Sequence, residues 1–90
     1  MLDLFLTGKY KRDLKVLAKR GYDLELLADV VDKLRILEQL PAKNHQHSLA
    51  GGWVGFDECH ISGDWLLIYR YHGDDLLELT RTGTHSDLFR

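Results

Sequence analysis

Three strand-like runs separated by two very short turns govern what this chain can fold into. "WVGFDECH" (Trp53 to His60), "DWLLIYRY" (Asp64 to Tyr71) and "LLELTR" (Leu76 to Arg81) are rich in aromatic and aliphatic residues, with only "ISG" and "HGDD" between them. Connections this short cannot hold a crossover helix, so the runs must pair antiparallel as a meander.

The half before the meander has helical period. "LDLFL" (Leu2 to Leu6) alternates apolar and polar and reads as a short first strand. Thr7 can cap a first helix with Tyr10, Leu14 and Leu17 on one face, and Gly21 stops it. Asp23 can cap a second helix carrying Leu27, Val30, Val31, Leu34 and Leu37 inward, until Pro41 ends it. "AKNHQHSLAGG" is then a polar loop. The expected fold is α+β in the order β-α-α-β-β-β, a small, mainly antiparallel sheet with two helices on one face, as one domain over residues 1–90.

Turn lengths predict a register. If "ISG" is a three-residue hairpin loop, His60 faces Asp64 directly across it. If "HGDD" is a four-residue loop, Tyr71 pairs with Leu76 and Leu66 with Arg81, so Arg81 shares the face of Asp64. Gly83 then permits a turn that returns His85 over them. Two imidazoles, a carboxylate and a guanidinium suit transesterification of a phosphodiester. One imidazole takes the proton of a ribose 2′-OH, a second gives one to the leaving 5′-oxygen, and the guanidinium meets charge growing on the phosphate. Such a site requires RNA and needs neither metal nor cofactor. A one-residue slip in either hairpin would turn one set of side chains to the other face.

Composition narrows the setting. Cys59 is the only cysteine, which excludes an internal disulfide and fits a reducing compartment. No run approaches a signal peptide or a membrane span, so the expected location is the cytoplasm, without membrane attachment. The net charge of −2 argues against a surface that grips nucleic acid everywhere. The average hides a split: Lys9, Lys11, Arg12, Lys15, Lys19 and Arg20 face a single acid, Asp13, whereas all five histidines fall after Asn44. His45, His47, Cys59, His60 and Asp64 are competent metal ligands, but no pair has a structural-zinc spacing. "GGWVG" lacks the lysine and hydroxyl residue of a phosphate loop.

The run "HSLAGGWVGFDECHISGDWLLIYRY…LLELTRTGTHSDLF", with "GKYKRDLKVLAKRGYDLELL" before it, resembles the YafQ branch of the RelE/ParE superfamily of bacterial type II toxins along essentially the whole chain. The resemblance implies a RelE-like fold and a ribosome-dependent mRNA interferase that acts in the ribosomal A site. It implies catalytic residues at His47, His60, Asp64 and His85, and supporting phosphate- or RNA-binding residues at Arg81, Trp65 and Phe89. His85 would be the general acid, with base duty shared among His60, Asp64 and His47. The implied partners are a cognate antitoxin, in a hetero-oligomer, and the ribosome with its mRNA. The basic helix (Lys9, Lys11, Arg12, Lys15, Lys19, Arg20) would meet ribosomal RNA or an acidic antitoxin tail. The slightly acidic whole predicts poor activity on free RNA. The competing function is a catalytically silent ribosome- or antitoxin-binding module on the same scaffold. Gyrase inhibition, found elsewhere in the superfamily, is disfavoured by the histidine set.

Overall fold

The computed structural model describes residues 1–89. Its elements are β1 (Asp3–Leu6), α1 (Gly8–Lys19), α2 (Leu24–Arg35), β2 (His47–Ser48), β3 (Asp57–Ser62), β4 (Trp65–His72), β5 (Leu76–Thr84) and α3 (His85–Leu88). Single 3-10 turns at Ala42–Asn44 and Gly51–Trp53 flank β2. The sheet order is β1-β5-β4-β3-β2, with β1 parallel to β5 and every other pairing antiparallel. The expected α+β architecture is therefore present.

Both helix starts are where the caps place them. The Thr7 hydroxyl accepts from the Tyr10 N–H, and the Asp23 carboxylate from the Glu25 N–H. Gly21, at φ +84°, ends α1 as the Tyr22 N–H reaches back to the Leu17 carbonyl. The second helix is shorter than expected. It stops at Arg35 because Leu37 turns left-handed and the Glu38 N–H closes on the Lys33 carbonyl, so Leu37 points outward and not into the core. Pro41 is five residues too late to be the cause.

The main core lies between the helices and one sheet face. Tyr10, Leu17, Leu27, Val30, Val31 and Leu34 pack on Cys59, Trp65, Leu67, Tyr69, Leu77 and Leu79. On the opposite face a smaller cluster forms, in which Leu66, Ile68 and Leu88 meet Leu49, Trp53, Phe56 and Phe89. Among the described residues, every buried side-chain nitrogen and oxygen has a hydrogen-bond partner.

The hairpin registers differ from expectation. His60 pairs with Leu66, not Asp64, because Ser62 and Trp65 flank a two-residue turn and Ile61 bulges out of β3. Tyr71 pairs with Leu77, and a second bulge at Thr80 then brings Leu66 opposite Gly83 and Ile68 opposite Arg81. Each error at the functional positions is an even number of residues, so His60 and Arg81 still share the face of Leu66. β3 also begins later than expected, since Trp53 belongs to a 3-10 turn, and β5 runs on through Gly83 to Thr84.

Trp65 corrects a second expectation. It is 3% exposed, and its indole N–H donates 2.8 Å to Thr82 Oγ1, which in turn donates to the Leu66 carbonyl. Buried beneath the sheet, it cannot touch RNA; it locks β4 to β5. Trp65→Phe removes this donor and some buried volume, and is expected to lower unfolding free energy by about 1–3 kcal/mol in urea denaturation.

Candidate active site

The sheet face opposite α1 and α2 carries the histidines. Register aligns His60, Leu66 and Gly83 in one row across β3, β4 and β5, and His47, Glu58, Ile68 and Arg81 in the next. Strand spacing makes the first row about 10 Å wide and the second about 15 Å. Among the described residues, His47, His60, Arg81 and His85 make no hydrogen bonds to one another. Leu66 and Ile68 between them are fully buried beneath Leu88, Trp53, Phe56 and Phe89, so these side chains stand at the margins of the smaller core.

His60 is half-buried, and its Nδ1 lies 3.2 Å from the Gly63 carbonyl oxygen. A carbonyl only accepts, so Nδ1 carries the proton and Nε2 keeps a free lone pair. Gly63, at φ +54°, makes the tight turn that aims this carbonyl. Asp64 completes the turn as an exposed residue, one step from that carbonyl and not opposite the ring as expected.

His47 is arranged differently. Its Nδ1 donates 2.7 Å to the His45 carbonyl, while Nε2 stands 3.3 Å from a carboxylate oxygen of Glu58, whose side chain is 6% exposed. Both ring nitrogens are occupied, so His47 is less available than His60 to take a substrate proton. Glu58 went unnoticed in the sequence, although the period-two alternation of "ECH" places it beside His60 on one face.

His85 opens α3 and is exposed, with its ring against Phe89 at 4.9 Å between centroids. Phe89 also meets Trp53 at 6.1 Å, so it packs the chain end onto the smaller core. The turn is made by a reciprocal cap at Thr84 and not by Gly83. The Thr84 hydroxyl accepts from the Asp87 N–H, and Asp87 accepts from the Thr84 N–H. Gly83 serves by lacking a side chain, for a Cβ there would stand 3.0 Å from the Asp87 Cβ and Oδ2.

Two guanidiniums are tied down. Arg81 donates from Nε and Nη2 to Asp13 of α1, at 2.8 and 3.0 Å, which raises its pKa and leaves its other N–H groups for an anion. Arg20 donates from both terminal nitrogens to Asp87, so of the six cations of the basic helix it is the one held by the C-terminal turn. Lys9, Lys11, Arg12, Lys15 and Lys19 are exposed and make no ion pair among the described residues. Asp13 and Asp87 were invisible as partners because each lies 67 or more positions from its arginine.

Cys59 is fully buried, and burial pushes its thiol up to about 12, so it is no nucleophile. Among the described residues, no three His, Cys, Asp or Glu side chains are grouped closely enough to hold a metal ion.

The profile of the family described as a bacterial toxin of type II toxin-antitoxin systems, YafQ, matches residues 2–90. The chain belongs to the YafQ family. It is 39% identical to the mRNA interferase toxin YafQ of Escherichia coli K12 over 88 residues, covering 97% of this chain and 95% of that protein. The E. coli YafQ in the DinJ-YafQ toxin-antitoxin complex superposes with a TM-score of 0.89 at 38% identity, over 99% of this chain and 98% of that one. A copper-bound mutant toxin of Helicobacter pylori gives 0.92 at 40% identity, over 99% and 100%.

In this YafQ chain, the position of His85 depends on an electrostatic cap that can be titrated. The Arg20 hydrogen bond, with the Thr84 N–H, holds the Asp87 carboxyl well below the usual carboxylate range. A depressed folded pKa stabilises above the unfolded value, about 3.9, and that stabilisation fades as pH falls toward the folded one. With both side chains partly in solvent, Asp87→Ala is expected to cost about 1–2 kcal/mol at pH 7, shrinking below about pH 4, in urea titrations at the two pH values.

Proposed function

We propose that the protein is a ribosome-dependent mRNA endoribonuclease that cuts mRNA in the ribosomal A site and thereby halts translation. The observation that carries this reading is the His60 ring, with Nδ1 committed to Gly63 and Nε2 without a hydrogen-bond partner among the described residues. His60 Nε2 accepts the proton of the ribose 2′-OH as that oxygen attacks the adjacent phosphorus. The P–O5′ bond breaks, and a protonated His85 gives its proton to the departing 5′-oxygen. The products are a 2′,3′-cyclic phosphate, or the 3′-phosphate after hydrolysis, and a 5′-OH end.

Arg81 presents the N–H groups not used by Asp13 to the phosphate, where growing negative charge strengthens the contact. His47, in the neighbouring row, reaches the phosphate or the 2′-oxygen by giving up its Glu58 contact. Asp64 supplies an exposed carboxylate beside the His60 turn, and Phe89 sets the angle of His85. The lack of hydrogen bonds among His47, His60, Arg81 and His85 supports a role for the ribosome: groups not tied to one another act together only on a strand held in a fixed path. Free RNA is therefore a poor substrate.

The cognate antitoxin is the other partner, as a hetero-oligomer. An acidic segment laid along the exposed cations of α1 would compete with ribosomal RNA for the same surface. The setting is the cytoplasm, where ribosomes are; among the described residues, no helix is long and apolar enough to cross a membrane. The chemistry uses no metal or other cofactor.

The test is cell-free translation of a defined message with new 5′ ends mapped by primer extension. Codon-registered ends that require ribosomes are expected, with His85→Ala slower by about 10²–10⁴-fold. Protein dialysed against EDTA before addition should cut equally well. Arrest without new ends would favour a silent binding module, and undiminished cleavage by the variant would remove His85 from the chemistry.

A further inference from the structure

His45 adopts a left-handed backbone, φ 46° and ψ 51°, which glycine would adopt with less strain. The backbone alone accounts for the contact between its carbonyl and His47, and a glycine would keep that contact. What glycine would lack is the ring. That ring packs against the His60 ring at 5.1 Å between centroids and 62° between planes.

The same short segment grips His60 again, because the neighbouring Asn44, 5% exposed, donates 2.7 Å from Nδ2 to the His60 carbonyl. Among the described residues the one hydrogen bond at the His60 ring is the 3.2 Å contact to Gly63, which sets the tautomer but leaves the ring plane free to tilt. His45 and His60 also line a cleft of about 420 Å³ with Lys43, Ser62 and Leu26 of α2.

We propose that the His45 ring is a positioning residue for His60: it fixes the imidazole plane so that Nε2 points across the sheet face toward the 2′-OH. The inference rests on the endoribonuclease reading above. His45 itself touches neither the scissile phosphate nor the attacking oxygen, so its effect should fall on turnover and not on binding.

Two substitutions separate ring from backbone. His45→Asn keeps a residue that tolerates the left-handed conformation, and keeps its carbonyl, but deletes the ring. His45→Phe restores a ring of similar reach without nitrogens. With programmed ribosomes as substrate, H45N is expected to lower kcat about tenfold with KM within about twofold, and H45F to recover to within about threefold of the unsubstituted protein. Thermal unfolding midpoints of both variants check that the fold is retained. Unchanged kcat in H45N, a loss confined to KM, or H45F as slow as H45N would each overturn the proposal. If the unsubstituted protein makes no ribosome-dependent cuts, the endoribonuclease reading fails first, and this inference with it.

Discussion

Two β-bulges decide which face of the sheet carries His60 and Arg81. Continued regular pairing from Ser62 and Trp65 would set His60 opposite Leu67, and from Leu79 and Tyr69 would set Arg81 there too, both beneath the helices. One extra residue at Ile61 and one at Thr80 turn both side chains to the face opposite the helices. The second bulge also lies where β1 stops covering β5. The exposed edge is completed by α1: Thr7 donates to the Thr80 carbonyl, and Asp13 accepts from the Thr82 N–H while holding Arg81. The contact that repairs the sheet edge is the one that orients the guanidinium.

In a chain of net charge −2, several acids near this face are matched by cations or imidazoles. Glu58 meets His47, Asp13 meets Arg81 and Asp87 meets Arg20. At Glu78 the competition between burial and pairing is visible. Burial raises its pKa, but hydrogen bonds from Thr80, His72 and Arg70 outweigh that and hold the carboxyl below its ordinary value. Arg70 also lies over the Phe56 ring at 4.4 Å, which ties this network to the smaller core under Phe89. Among the described residues the cations of α1 make no ion pair, so the potential along that helix is more positive than the total charge implies.

Much of this fold was legible in local signals. Thr7, Gly21 and Asp23 act within a few residues of themselves, and they mark helix boundaries as their chemistry requires. The meander was legible from its short turns. The second helix's early end was not, because a leucine in a left-handed cap carries no residue-type signal. Register was not legible either: bulges answer to packing on both faces, here Trp65 against Thr82 on one and Leu66 with Leu88 on the other. The assignment of His60 and Arg81 to one face survived since the errors were even, whereas Asp64 opposite His60 did not. Resemblance marked Trp65, but only burial shows that its part is to hold strands together. Asp13, Glu58 and Asp87 depend on contacts made through the folded chain, beyond any pattern in neighbouring residues.

In the proposed reaction this face uses the ribose 2′-OH as nucleophile, with His60 taking its proton. This step is tested most directly with ribosomes programmed with a message bearing one 2′-deoxynucleotide immediately 5′ of the scissile phosphate. Loss of cleavage at that phosphate alone, with neighbouring susceptible codons still cut to 5′-OH ends, is the result expected. Continued cleavage at the deoxy position would mean that water or another group attacks the phosphorus, and the roles given to His60 and His85 would be wrong.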